Sequence, residues 1–286
     1  MDFELVSDLE KLKALSGSTW KDMSDILGVD FSTFSRWKNR SSKPTKKNLN
    51  EIYNNMYKKK YRLNNLMEEL YKDLNNENTR ILFHGSKEGI VGDLSIAYSN
   101  EKRDFGKGFY LGESVKQAIS FVSSYENSCL YFIKVNDFKN LRIKEYDVCK
   151  DWMILVAYFR GKIDEYSDSK YLKKLLESIK DIDIIIAPIA DNSMYSIINE
   201  FIEGSITDLQ CINSLSANRL GKQYVILNDS TLKNNVEIIR KSFICKLEKE
   251  DYEINKDIET NIGKGKMILA KRQFAGKGKY IEEILK

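Results

Sequence analysis

Up to about residue 76, apolar residues recur at steps of three and four, the pattern of amphipathic helices. From Ile81 onward they gather into short runs that read as strands. Helices are expected over roughly 3–15, from Thr19 to a stop at Gly28, and from about Ser32 to Asn39. Thr19, with Asp22 three residues on, reads as a capping box. Trp20, Met23, Ile26 and Leu27 then share one face, and Phe31, Phe34 and Trp37 face inward in the next helix. Residues 50–76 read as one longer polar helix ending in the turn-rich DLNNENTR. Strands are expected at ILFHG (81–85), SCLYFIKV (128–135), DIIIAPIA (183–190), QYVILN (223–228) and SFICKLE (242–248). Helices fit between them at 113–124, 148–160, 170–179, 192–203 and 205–216. Strands interspersed with helices imply an α/β or α+β architecture. The pattern predicts a helical domain over 1–76, a mixed domain over 77–248 and a charged extension over 249–286. In that extension GKGK occurs at 263–266 and again at 276–279. Neither copy has the spacing of a phosphate-binding loop, and both read as flexible basic turns.

Composition narrows the chemistry. At 286 residues with 42% hydrophobic and 31% charged positions, the chain can build a sizeable core. It holds one histidine, His84, which excludes two-histidine zinc motifs and confines any histidine-based triad to that residue. Four cysteines without a CxxC pair read as free thiols of a reducing cytoplasm, and no metal site is expected. No apolar run reaches the ~18 residues that span a bilayer, and the acidic start MDFELVSDLE lacks a signal-peptide core, so the expectation is a cytoplasmic protein without membrane contact. The net charge of +4 hides an asymmetry: from Arg36 to Arg62 ten basic residues face one acid, Glu51. Such a block suggests a face aimed at an anionic polymer.

Ahead of that block, TWKDMSDILGVDFSTFSRWKNRSSKP resembles the helix-turn-helix of phage-repressor-type DNA-binding domains. Ser24 stands where the helices cross, Gly28 in the turn, Val29 after it and Phe34 inside the second helix. The exposed positions of that second helix are then Ser32, Thr33, Ser35, Arg36 and Lys38, whose side chains suit phosphates or base edges in a major groove. Helix-turn-helix cores also serve as protein docking modules, so DNA and protein both remain open as partners.

Two further strings carry chemistry: ILFHGSKEGI at 81–90 and SNEKRDFGKGFYLGESVKQAISFV at 99–122. With the later QYV strand they resemble the ADP-ribosyltransferase superfamily, on the branch shared by diphtheria toxin and the poly-ADP-ribose polymerases. A closer likeness is to bacterial proteins that carry HGS followed by DFGKGFYL. The resemblance covers about residues 80–240. It implies a split-sheet α+β core joined to the all-α helix-turn-helix, with NAD as substrate in a cleft between half-sheets. It gives His84 a contact to the adenosine ribose, Gly85 a contact to the nicotinamide carboxamide, Ser86 a contact to that carboxamide or the nearby ribose, and Tyr110 a stacking wall. Phe109 stands beside that wall, and Phe121, eleven residues beyond Tyr110, supplies the second one. Ala118 falls where the polymerases have a serine. A helix beginning near Glu113 would put Ala118 and Phe121 on one face.

The polymerases carry a catalytic glutamate in a Glu-Tyr-Ile-Val strand. GKQYVILND offers Gln223 at that place, an amide that can hydrogen-bond a hydroxyl but cannot act as a general base. Asp191 and Glu203 are candidate substitute acids. Asp104 and Arg103 are placed to orient the Gly-rich loop or meet the diphosphate. The string G-K-G-F-Y-L-G is one residue too long for a GxGxxG fingerprint, which excludes a Rossmann site. The resulting expectation is a mono-ADP-ribosyltransferase acting on a macromolecular acceptor, with His84, Tyr110 and Gln223 as its catalytic set. A toxin or phage-defence role is the architectural analogy. The rival readings are an NAD glycohydrolase on the same site and a DNA-binding regulator whose second domain only senses NAD.

Overall fold

The computed structural model describes residues 2–218 and 220–286. Among them seven strands and thirteen helices make a mixed α+β fold. The strands are β1 (Thr79–Ser86), β2 (Phe109–Gly112), β3 (Cys129–Asn136), β4 (Ile143–Glu145), β5 (Ile184–Pro188), β6 (Lys222–Ile226) and β7 (Val236–Phe243). Five helices precede β1: α1 (Leu5–Ser16), α2 (Trp20–Leu27), α3 (Phe31–Lys38), α4 (Lys46–Lys58) and α5 (Leu63–Lys72). Then come α6 (Val115–Ser120), α7 (Lys150–Phe159), α8 (Lys170–Glu177), α9 (Asn192–Ile202), α10 (Asp208–Ser216), α11 (Asp229–Asn235), α12 (Lys246–Gln273) and α13 (Ile281–Leu285). No described helix is long and apolar enough to cross a membrane.

The chain forms two compact units. The first takes residues 1–91, 114–138 and 236–255; the second takes 92–113, 139–235 and 256–286. Neither edge follows the boundaries expected at 76 and 248. In the first unit β1, β3 and β7 run antiparallel in that order, with His84 opposite Tyr131. The N-terminal helices share one core with these strands: Leu9, Leu12, Met23, Phe34 and Trp37 join Phe83, Phe132 and Phe243. A bulge opposite Phe132 and Ile133 lies beside Arg240 of β7, a device that re-aims side chains. Arg240 is buried and pairs with Asp8 of α1, which also accepts from the Tyr53 hydroxyl. The N-terminal helices are therefore buried against strands of this unit.

In the second unit β6 lies between β5 and β2, antiparallel to both, and β4 adds to β5 in parallel. Helix α7 is apolar on every side, from Trp152 to Ala157, because it runs through the middle of this core. Strands β2 and β4 escaped the sequence reading because four and three residues are too few to show a period.

The Thr19–Asp22 capping box forms, and Ser24 is buried at the helix crossing as expected. Phe31, expected inward, is instead exposed on the first turn of α3. The expected single helix over 50–76 is two. α4 starts early, behind a Thr45–Asn48 capping box, and the chain breaks where Lys60 takes a φ of 67°. Arg62 fixes the bend by stacking on the Tyr57 ring, 3.4 Å from its centroid. The strand expected at 242–248 stops at Phe243, and α12 begins three residues later. Glu248 is buried there and accepts two hydrogen bonds, of 3.0 and 3.1 Å, from the Asn64 amide. Burial pushes its carboxyl up to about 7, against the pull of Asn64 and Arg62. The first GKGK, expected as a turn, lies inside the helix α12; the second is a turn, with Gly276 and Gly278 at positive φ.

Candidate functional site

The Gly-rich string of the second unit folds back on itself before entering β2. Gly106 has a φ of 70°, and a Cβ there would meet the Phe159 ring at 2.9 Å, so only glycine lets the loop lie on the end of α7. The loop then closes on Tyr110. Its hydroxyl accepts from the Phe105 N–H at 3.1 Å and donates to the Gly106 carbonyl at 2.8 Å. Burial holds this phenol in its neutral form, well above its ordinary titration range. The hydroxyl is thus committed to the loop, and the ring packs against the core of the second unit. Arg103 is exposed, with its guanidinium 5.6 Å from that ring. Phe109 is buried, a strand residue opposite Ile226.

Gln223 sits on β6 opposite Gly112 of β2 and Ala187 of β5. Its amide nitrogen donates to Asp104 Oδ2 at 2.8 Å and to the Pro188 carbonyl at 3.0 Å. Both partners accept only, so the nitrogen must face them and the amide oxygen must face away. Gln223 therefore offers a ligand an acceptor and no base. Asp104, named from the sequence as a loop-orienting acid, fills that role through a residue the sequence reading missed. Arg160, at the end of α7, donates to Asp104 through Nε at 2.9 Å and to the Ala190 carbonyl at 2.9 Å, with its guanidinium 4.1 Å from the Tyr195 ring. The group ties the Gly-rich loop, α7 and β6 into one polar cluster. An arginine closing an otherwise apolar helix, AYFRGK, was the signal for it.

In the first unit His84, Gly85 and Ser86 end β1, all half-buried. A Cβ on Gly85 would stand 2.2 Å from the Ala118 carbonyl, so this glycine is required for α6 to pack on β1. That is a different reason from the ligand contact the sequence suggested. Ser86 Oγ accepts from the Gly89 N–H at 3.0 Å. Helix α6 begins at Val115 behind a Ser114–Gln117 capping box and ends at Ser120. Ala118 is buried, whereas Phe121, which closes the helix, is 57% exposed.

The two candidate substitute acids stand at the two ends of α9. Asp191 caps α9, accepting from the Met194 N–H at 2.8 Å and the Ser193 hydroxyl at 2.7 Å, and Glu203 is exposed beyond the end of that helix. On α3, Ser32 and Arg36 are exposed, and Thr33, Ser35 and Lys38 are half-exposed. Arg36 donates to the Thr33 hydroxyl at 3.0 Å, and the Lys38 ammonium lies 5.0 Å from the Trp20 ring. A surface depression of about 520 Å³ in the second unit is lined by Phe105, Phe159, Leu176, Ile179 and Leu227; Phe105 comes from the Gly-rich string, and the depression takes in neither Tyr110 nor Gln223. Among the described residues no cluster of three His, Cys, Asp or Glu could hold a metal.

With this geometry in hand, the comparison with known families gives one answer. Residues 80–236 match the DUF3990 family, described as a protein of unknown function, and the chain belongs to it. The match opens at β1 and closes at the start of β7, so it takes in HGS, the Gly-rich loop and Gln223. No curated protein and no solved structure matches the chain.

Proposed function

We propose that this chain is an NAD-dependent mono-ADP-ribosyltransferase. The observation that carries the reading is the fixed amide of Gln223, on a strand hydrogen-bonded to the one that holds Tyr110. Its amide oxygen, turned away from Asp104 and Pro188, suits a ribose hydroxyl, which donates, and the neutral Tyr110 ring suits a stacked nicotinamide. In the reaction the bond from ribose C1′ to the nicotinamide nitrogen breaks, and its electron pair leaves with nicotinamide. A nucleophile of the acceptor then bonds C1′, and its proton passes to a base of the acceptor or to water. Gln223 holds the donor ribose through the oxocarbenium-like state and moves no proton. The resemblance gives His84 a contact to the same substrate. The helix-turn-helix, in this reading, brings DNA or a protein partner.

The test is release of free nicotinamide from NAD, with and without cell extract. Extract-dependent release that falls 10- to 1000-fold in Gln223→Ala, the order typical of removing one hydrogen bond to a transition state, supports the transferase. Extract-independent release supports the glycohydrolase. Release that is unchanged in Tyr110→Ala, His84→Ala and Gln223→Ala rejects the site.

A further inference from the structure

Helix α12 has two opposed faces. Gly263 and Met267 are buried, and a Cβ on Gly263 would meet the Asn218 side chain at 2.6 Å. The opposite face carries Ile258, Ile262 and Leu269, exposed by 51, 54 and 62%. These positions are four and seven residues apart and form one stripe. Gly265 lies within that stripe. Among the described residues nothing lies within 4 Å of a Cβ position there, so no contact with them explains a residue that costs a helix about 1 kcal/mol relative to alanine. A small residue in an apolar stripe lets another helix approach closely.

The charges beside the stripe say which helix. Asp257 and Lys264 lie on one flank, seven residues apart, and both are exposed. Glu259 and Lys266 repeat that acid-then-base order on the other flank. From Glu248 to Glu259 the helix has six acids and two lysines; from Thr260 to Gln273 it has four cations and no acid. Residues on the same flank of two antiparallel helices face each other around a two-fold axis. With the axis near Asn261 and Ile262, Asp257 of one copy meets Lys264 of the other, and Glu259 meets Lys266. A parallel arrangement sets the acidic halves against each other and the basic halves likewise.

We propose that α12 is a self-association surface, pairing antiparallel with the α12 of a second copy of this chain. The stripe from Ile258 to Leu269 supplies the apolar seam, Gly265 the close approach, and the flanking charges the direction. The stripe symmetric about that axis, from the exposed Ile254 to Leu269, spans about 22 Å, a short seam, so the expected dissociation constant is in the micromolar range, about 1–100 μM.

Sedimentation equilibrium of the full chain tests this. The expected result is a monomer–dimer equilibrium that weakens with salt. Ile258→Lys combined with Ile262→Lys should be monomeric with an unchanged circular dichroism spectrum, since both sites are on the surface. Asp257→Lys alone and Lys264→Asp alone should each raise the dissociation constant about tenfold, because each reversal sets like charges together at two symmetric positions. The double variant carrying both reversals should dimerise like the parent. A parent that stays monomeric at several hundred micromolar (well above that affinity range) overturns the proposal. So does a dimer untouched by the isoleucine changes, or a double reversal that fails to restore it.

Discussion

Replacing Gln223 by glutamate would give this chain the residue that the polymerases carry, and the structure argues that the exchange is costly. The introduced carboxyl would face Asp104 Oδ2 at about the 2.8 Å now spanned by the amide, and the Pro188 carbonyl at about 3.0 Å. Both are acceptors. Two ionised carboxylates at that distance repel by roughly 6 kcal/mol at an effective dielectric constant of 20. The alternative is to keep a proton on the new group. At pH 8 that costs about 5 kcal/mol for a glutamate whose ordinary pKa is about 4.3. Arg160 beside Asp104 offsets part of either cost, and its side chain is 21% exposed, so water screens the cluster. We expect Gln223→Glu to lose about 3 kcal/mol at pH 8, a fall in Tm of roughly 6–10 °C.

The pH dependence identifies the cause. The folded state raises the pKa of the introduced carboxyl, so the deficit is full above that raised value and shrinks as pH falls. At pH 5 it should be about 1 kcal/mol. Urea unfolding of variant and parent at pH 5, 6, 7 and 8 measures it. Gln223→Leu, which removes the donor without adding a charge, should show a loss that does not vary with pH. A Gln223→Glu protein as stable as its parent at pH 8, or one with a pH-independent deficit, would refute the argument. Under the proposed function, glutamate at this place is expected to raise activity only together with Asp104→Asn.

Other perturbations follow from the same geometry. Glu248→Gln removes a buried group whose charged form is penalised. That penalty is absent below the ordinary glutamate range and grows as pH rises toward about 7. The variant should match its parent near pH 5 and exceed it by about 2–3 kcal/mol at pH 8, read from denaturant curves; a constant difference contradicts the burial account. Gly85→Ala should destabilise by about 3 kcal/mol because its methyl group would strike the Ala118 carbonyl, and a normal melting temperature would contradict that close approach. Duplex DNA titrated into the full chain at several salt concentrations tests the helix-turn-helix. Arg36→Ala with Lys38→Ala should flatten the log–log salt slope by about 0.9 for each phosphate no longer neutralised, and an unchanged slope removes α3 from any DNA interface.

Periodicity and caps located α2, α3, α8, α9 and α10 because each buries one face and begins at a side-chain cap. Those signals are local, and so they were legible. Pairings between distant residues were not. The N-terminal helices read as a separate domain, since nothing near Asp8 reveals that Arg240 will reach it from β7. The run SFICKLE read as a strand because burial of Ile244 and Cys245 looks the same in a strand as in the approach to a helix. In the candidate site, the motif residues were found by type and spacing. Arg160 was not, because its role depends on Asp104 lying 56 residues away. The glycine of HGS was found for one reason and is needed for another, a carbonyl on α6 that no sequence pattern exposes.

The threading of the two units governs when this protein can become itself. The chain passes between them at residues 91, 113, 138, 235 and 255, so neither unit is a contiguous piece that can be cut out or expressed alone. Asp8 leaves the ribosome 232 residues before the arginine that will hold it. At about 5–20 residues per second, roughly ten to fifty seconds separate the two. For that interval Leu9, Leu12, Met23 and Phe34 can pack on β1 and β3 as these emerge but lack Phe243 of β7, and the N-terminal helices must wait, partly exposed, for that last strand. Maturation of this fold is an event of chain completion, and a transcript or translation cut short before β7 yields no smaller working version.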